Sequence, residues 1–231
     1  MVATGYTSSG IISNVEVIDL EISSSSCKNL KDYPLKIREG GVGLLLDDSP
    51  LICGGFESLT SSNTNNCFNL QNNEWMFSNP LAEGKRHLKI SKHPFLKENF
   101  SLIETGGYKN SVGDFNTTSI LTNDGWKKLS LGLPKPEHGH CTIQFNSKIL
   151  MSILIKETYF MSSTETGWAT GPSLITARRH FGCGRILSNK QSNTFSVIVA
   201  GGESAGVSVE VLDEMSGNWR AGTNVIKMLE A

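Results

Sequence analysis

The residue types best able to do chemistry in this chain are its five histidines and five cysteines. His138, His140 and Cys141 are expected on one strand, and His180 with Cys183 on a corresponding strand further on. Imidazole and thiolate are the ligands of structural zinc sites, but such sites need short, repeated ligand spacings that this chain lacks. Histidines on strands beside turns are more often hydrogen-bonded than ligating, so no metal is assigned. The basic run Lys85, Arg86, His87, Lys89, Lys92, His93 and Lys97 could attract an anion. It reads first as a solvated strand and loop. No phosphate-binding glycine loop, HExxH, GxSxG or paired-cysteine zinc signature occurs. The sequence therefore assigns no catalytic residue and no cofactor, and the chain reads as a non-enzyme.

Composition narrows the partners. Over 231 residues, 21 Lys and Arg stand against 22 Asp and Glu, for a net charge of -1, and only 19% of residues are charged. That balance leaves no electrostatic footprint for nucleic acid or an anionic membrane surface. No run approaches the roughly 20 apolar residues that cross a bilayer; the longest, Ile149 to Ile155, is interrupted by Ser152. With 38% hydrophobic residues and 23 glycines, the chain can fill a core and is rich in turns. Its first residues carry no basic and apolar leader, so either the protein is cytosolic or Met1 is not the native start.

The elements that must position these residues are strands. Apolar residues never repeat at helical spacing over three turns, whereas short β-rich runs bounded by Gly, Asn, Ser and Asp recur throughout. Examples are Val15 to Leu20, Gly43 to Leu46, Ser101 to Ile103, Ser119 to Leu121, Ser147 to Ile155 and Ser196 to Ala200. A period is superimposed on them. Apolar strands end in glycine pairs at Gly54-Gly55, Gly106-Gly107 and Gly201-Gly202. After another short strand comes a tryptophan in a polar turn, at Trp75, Trp126, Trp168 and Trp219, with intervals of 51, 42 and 51 residues.

An apolar strand closing in Gly-Gly, followed by a Trp at a period near 50 residues, resembles the kelch repeat. The resemblance covers the whole chain, 1–231, as one domain of five units: 1–37, 38–83, 84–135, 136–175 and 176–231. The fourth unit has Ile153-Leu154-Ile155 in place of Gly-Gly, and the first has Cys27 where the Trp would stand. WD repeats fit less well, because their Gly-His and Trp-Asp pairs are missing. The resemblance implies an all-β, kelch-type β-propeller of about five four-stranded blades, or an incomplete six-bladed ring short at its N-terminus. The innermost strand of the first unit is then supplied by 223–229, by upstream sequence, or not at all. In such a fold the glycine pairs allow close backbone approach and the tryptophans fill the space between blades.

Cys53 ends one strand and Cys67 begins the next, so an antiparallel pairing sets them opposite each other within disulfide reach; two separate buried thiols are the alternative. Asn99 and Asn116 begin Asn-x-Ser/Thr triplets in or beside expected loops and could accept glycans. Cys before Gly-Gly with a second Cys on the next strand is similar to secreted invertebrate kelch proteins, which implies an extracellular chain, with the cytoplasm as the alternative. By the same resemblance the function is a monomeric, non-catalytic scaffold holding a protein partner. The loops from Glu57 to Asn65, Lys109 to Phe115 and Glu203 to Val207 are the expected contact elements. Two alternatives are a kelch-fold enzyme with a metal or small-molecule site at the central channel, and a cytosolic substrate adaptor without its dimerisation domain. The tyrosines at 6, 33, 108 and 159 do not assemble the ligand set of a copper radical oxidase.

Overall fold

The computed structural model describes residues 2–8, 10–17, 28–46, 49–92, 102–145, 149–162, 167–189, 194–213 and 216–222. Cys27, His93, Lys97, Asn99 and the segment 223–229 lie outside them. The described residues form an all-β structure with no helix.

Strands succeed one another as antiparallel sheets in chain order. The first sheet has three strands, Val2–Thr7, Gly10–Val17 and Lys28–Leu30. The second pairs Val42–Leu46, Ser49–Cys53, Cys67–Gln71 and Glu74–Ser78. The third pairs Lys89–Lys92, Leu102–Thr105, Thr118–Thr122 and Gly125–Lys128. The fourth pairs Cys141–Gln144, Ile149–Leu154, Glu157–Ser162 and Ala169–Thr170. The fifth pairs Gly182–Asn189, Thr194–Ala200, Val209–Leu212 and Trp219–Ala221. Two smaller pairings lie beside them: Ile37–Glu39 with Phe56–Glu57 and Ser62–Asn63, and Tyr108–Lys109 with Gly113–Asp114.

Local sequence explains the hairpins. Asn72 and Asn73 both take positive φ, 49° and 62°, between the paired residues Gln71 and Glu74. That is a type I′ turn, whose twist matches the flanking strands and which asparagine tolerates. Strands packed on both faces are buried at every position, as in Leu102–Thr105 and Val209–Leu212, and the carboxylates they carry, Glu104 and Glu210, are buried against cationic partners.

The core lies between the sheets. Leu51, Leu81, Leu88, Ile90 and Leu102 pack the second sheet on the third, and Ile153, Leu174, Phe181, Val199 and Leu212 pack the fourth on the fifth. Tyr33, Ile52 and Trp75 join the first to the second. Ile103, Met161 and Trp168 join the third to the fourth. Three of the four tryptophans make the joints directional, because their indole N–H finds an acceptor across the joint, whereas that of Trp168 is buried without one. Trp75 donates to Lys31 O at 2.9 Å, Trp126 to Asn79 O at 3.2 Å and Trp219 to Pro172 O at 2.9 Å, each reaching the preceding unit.

The first two glycine pairs mark where the second and third sheets meet the segment leading into the next. Gly54 and Gly106 have φ of 67° and 60°, and a Cβ there would stand 2.7 Å from Lys85 O and 2.6 Å from Glu137 O. Only a residue without a side chain allows both the left-handed backbone and that approach. Gly55 N–H and Gly107 N–H then bond the same two carbonyls.

Two disulfides complete the frame. Cys53–Cys67 joins opposed residues of adjacent strands in the second sheet, and Cys141–Cys183 joins the first strands of the fourth and fifth sheets.

Candidate functional site

Each sheet from the third onward is entered by a short segment rich in ionisable residues: Lys85-Arg86-His87-Leu88, Glu137-His138-Gly139-His140 and Arg178-Arg179-His180-Phe181. His87 and His180 have φ of 54° and 53°, and Gly40 and Gly139 take φ of 72° and 63° at the corresponding places. One chain of backbone hydrogen bonds links the four: His87 N–H to Gly40 O (2.8 Å), Gly139 N–H to His87 O (3.0 Å) and His180 N–H to Gly139 O (2.8 Å). The strands expected to carry His138 and His140, and His180, begin only after them, at Cys141 and Gly182, because left-handed Gly139 and His180 interrupt the extended backbone.

This ladder brings three imidazoles together. Ring centroids lie 4.6 Å apart for His87 and His180, 5.3 Å for His138 and His180, and 5.8 Å for His87 and His138. His138 Nδ1 and Asp114 Oδ1 are 2.7 Å apart, so the ring donates there when neutral and keeps its lone pair on Nε2. Asp114, Glu137 and His138 place ligand-type atoms within 4.8 Å of one another. Burial first, then His180, His138, Arg86 and Lys89, push His87 down to about 4. Burial also lowers His180, opposed by Glu203.

Around this cluster the arginines are held by partners. Arg86 lies between the rings of Phe56 and Tyr108, 5.1 and 5.0 Å from their centroids, and pairs with Glu39 at 2.8 Å. Arg179 pairs with Glu137 at 3.1 Å. The basic run was expected to be solvated, and Lys85 departs from that. Its ammonium is buried against Glu104 and Thr117, both at 2.8 Å, because the glycine-pair carbonyl contacts pin its backbone inside the joint. Arg178 is the counterpart in the fifth unit, buried against Glu210 at 2.6 Å.

The His/Cys groupings noted in the sequence separate. Cys141 and Cys183 are bonded to each other, and His140 turns inward to Thr105 Oγ1 at 2.9 Å. Burial, then Lys89, His138 and Lys85, push His140 down to about 3. Its unfolded value is near 6.5, so between these values the unfolded chain binds the extra proton and stability falls as the pH is lowered. The contribution is complete above pH 6.5 and has fallen by about 3 kcal/mol at pH 4. His140→Gln, which can still bond Thr105, is expected to flatten the urea-midpoint curve over that interval. An unchanged slope would exclude His140 as the source.

The glycine pairs are followed at one end of the sheets by the expected loops, which begin at Phe56, Tyr108 and Glu203. Leu59, Val112 and Val207 in these loops are 78%, 63% and 41% exposed. Asn63 Nδ2 ties the first loop to Tyr108 O of the second at 2.9 Å. The fourth unit has no such loop: Leu154 pairs directly with Glu157 across a tight turn. Beside it lies a cleft of about 270 Å³ lined by Ile155, Ala177, Arg178, Arg179, Glu203 and Ser204. A larger cavity of about 560 Å³ beside Val42–Leu46 is lined by glycine and aliphatic residues, with Glu39 its one ionisable group, and offers little chemistry. Asn116 is exposed in a loop.

Sequence reading missed His87 as a neighbour of His138 and His180, the Arg86 stack and the Cys141–Cys183 bond. Aligning Lys85-Arg86-His87 with Arg178-Arg179-His180 across the repeat would have placed the two histidines at one structural position. No protein-family model and no curated protein matches this chain.

Proposed function

We propose that this chain is a secreted, non-catalytic binding module of the kelch β-propeller type, and that it holds a protein partner on the end bearing the post-glycine loops. Successive antiparallel sheets, glycine pairs at the inter-sheet contacts and indoles reaching the preceding unit support the propeller reading. Two disulfides favour an oxidising compartment.

The observation that carries the binding role is the placing of Leu59, Val112 and Val207. These are exposed apolar side chains on three loops, each following a glycine pair. Water penalises such exposure, and a protein interface relieves it by burying apolar anchors beside Arg and aromatic groups. Arg86, Phe56 and Tyr108 supply the latter at the loop bases.

Replacing Leu59, Val112 and Val207 together by serine should leave stability within about 0.5 kcal/mol per site, since all three are exposed. At about 1 kcal/mol per lost anchor, partner affinity should fall on the order of 100-fold. The check is quantitative recovery of proteins from the native extracellular fluid by the two forms. Met76→Ser with Phe77→Ser, also exposed but on an outer strand, serves as the control. Identical recovered sets from the native and triple-serine forms would refute the loop face.

A further inference from the structure

We propose that His87, His138 and His180 form a three-histidine site for a divalent transition metal ion of the zinc class, with Asp114 orienting His138 and a fourth position open to water.

The arrangement of the rings is the first ground. A metal–nitrogen bond of about 2.1 Å with tetrahedral angles sets the centroids of three ligating imidazoles about 5 Å apart. The observed separations, 4.6, 5.3 and 5.8 Å, bracket that value. The ring nitrogens of the three histidines do not themselves converge as they stand, so binding requires their side chains to rotate until one nitrogen of each ring meets the ion. The backbone ladder through Gly40, His87, Gly139 and His180 holds the three residues side by side while they do so.

His138 supplies the second ground. Its Nδ1 faces Asp114 Oδ1 at 2.7 Å, the carboxylate–histidine pairing that fixes a metal-binding tautomer and leaves Nε2 free. Backbone strain is the third. His87 and His180 occupy left-handed conformations where the equivalent places in neighbouring units hold glycine. Such strain at a non-glycine residue collects where side-chain chemistry requires it. Arg86 and Arg179 do not repel the ion unopposed, since Glu39 and Glu137 counter them.

The site goes beyond the partner-binding proposal and is tested without any partner. The full chain is stripped with a chelator, then titrated with Co²⁺ followed by visible absorption and with Zn²⁺ followed by calorimetry. About one equivalent should bind per chain, with Co²⁺ bands of low coordination number. His87→Asn and His180→Asn each remove a ligand, yet asparagine tolerates the left-handed backbone, so both variants retain the fold. Each should weaken binding at least tenfold, and Asp114→Asn, which removes no ligand, about tenfold. Absence of saturable binding, or unchanged affinity in the two asparagine variants at 87 and 180, would overturn the site. Stabilisation by inorganic phosphate but not by Zn²⁺ would also overturn it and make the cluster an anion site.

Discussion

Replacing Cys141 and Cys183 together by alanine is expected to destabilise the chain by about 4 kcal/mol, against about 3 kcal/mol for the Cys53 and Cys67 pair. The difference follows from the closed loops, with sequence separations of 42 and 14 residues, since a longer loop restricts the unfolded chain more. Packing points the same way. Cys53 and Cys67 are opposed residues of hydrogen-bonded strands, so their bond reinforces a register that the ladder already sets. Cys141 and Cys183 belong to different sheets with no strand ladder between them, joined otherwise by packing around Ile153, Leu174 and Phe181 and by scattered hydrogen bonds such as Trp219 Nε1–H to Pro172 O. Urea unfolding of the two double-alanine variants measures both costs. A larger loss from the Cys53 and Cys67 pair, or losses under 1 kcal/mol from both, would contradict this account. Together the bonds represent about 7 kcal/mol, comparable with the whole stability of many domains. A reducing compartment would leave the chain marginal, which ties the disulfides to the secreted reading.

The parts of this structure legible in the sequence are those encoded locally. Gly-Gly at 54, 106 and 201, the Asn72-Asn73 turn and the tryptophans each state a backbone or packing requirement within a few residues. From them follow the succession of short antiparallel strands and the loops at 57–65, 109–115 and 203–207. Cys53 and Cys67 belong to the same class, because a hairpin brings them together. What was not legible depends on how one unit sits on the next. Cys141–Cys183, the proximity of His87 to His180, and the burial of Lys85 against Glu104 all cross a joint between sheets. Composition cannot distinguish a buried lysine from a solvated one; a partner carboxylate on the neighbouring strand decides it. The strand position of His138 failed for a related reason. A single left-handed glycine between two histidines ends the extended backbone, and Gly139 carries no local signal that separates this role from that of a strand glycine.

Arg178→Met is expected to destabilise the chain by about 3–5 kcal/mol, the cost of leaving a buried carboxylate unpaired. Arg178 is fully buried and uses its fork on four acceptors: Gly201 O at 2.9 Å, Ser208 O at 3.0 Å, Ser208 Oγ at 3.1 Å and Glu210 Oε1 at 2.6 Å. Glu210 in turn accepts the N–H groups of Ile175 and Thr176 at 2.6 and 2.9 Å. Methionine fills much of the volume but donates nothing, so the loss is electrostatic rather than a cavity. Adding Glu210→Gln should recover part of the stability, because a neutral amide removes the unpaired charge and still accepts from Ile175 or Thr176. Arg178→Lys should lie between, since one ammonium cannot span four acceptors. Gly201 and Ser208 are the two stems of the loop carrying Val207, so the same guanidinium that stabilises the joint also closes the base of a proposed contact loop. Hydrogen exchange across 201–208 should therefore accelerate in Arg178→Met even under conditions where the rest of the fifth sheet stays protected. A stability loss under 1 kcal/mol, or exchange that rises uniformly through the sheet, would show that Arg178 does not clamp this loop.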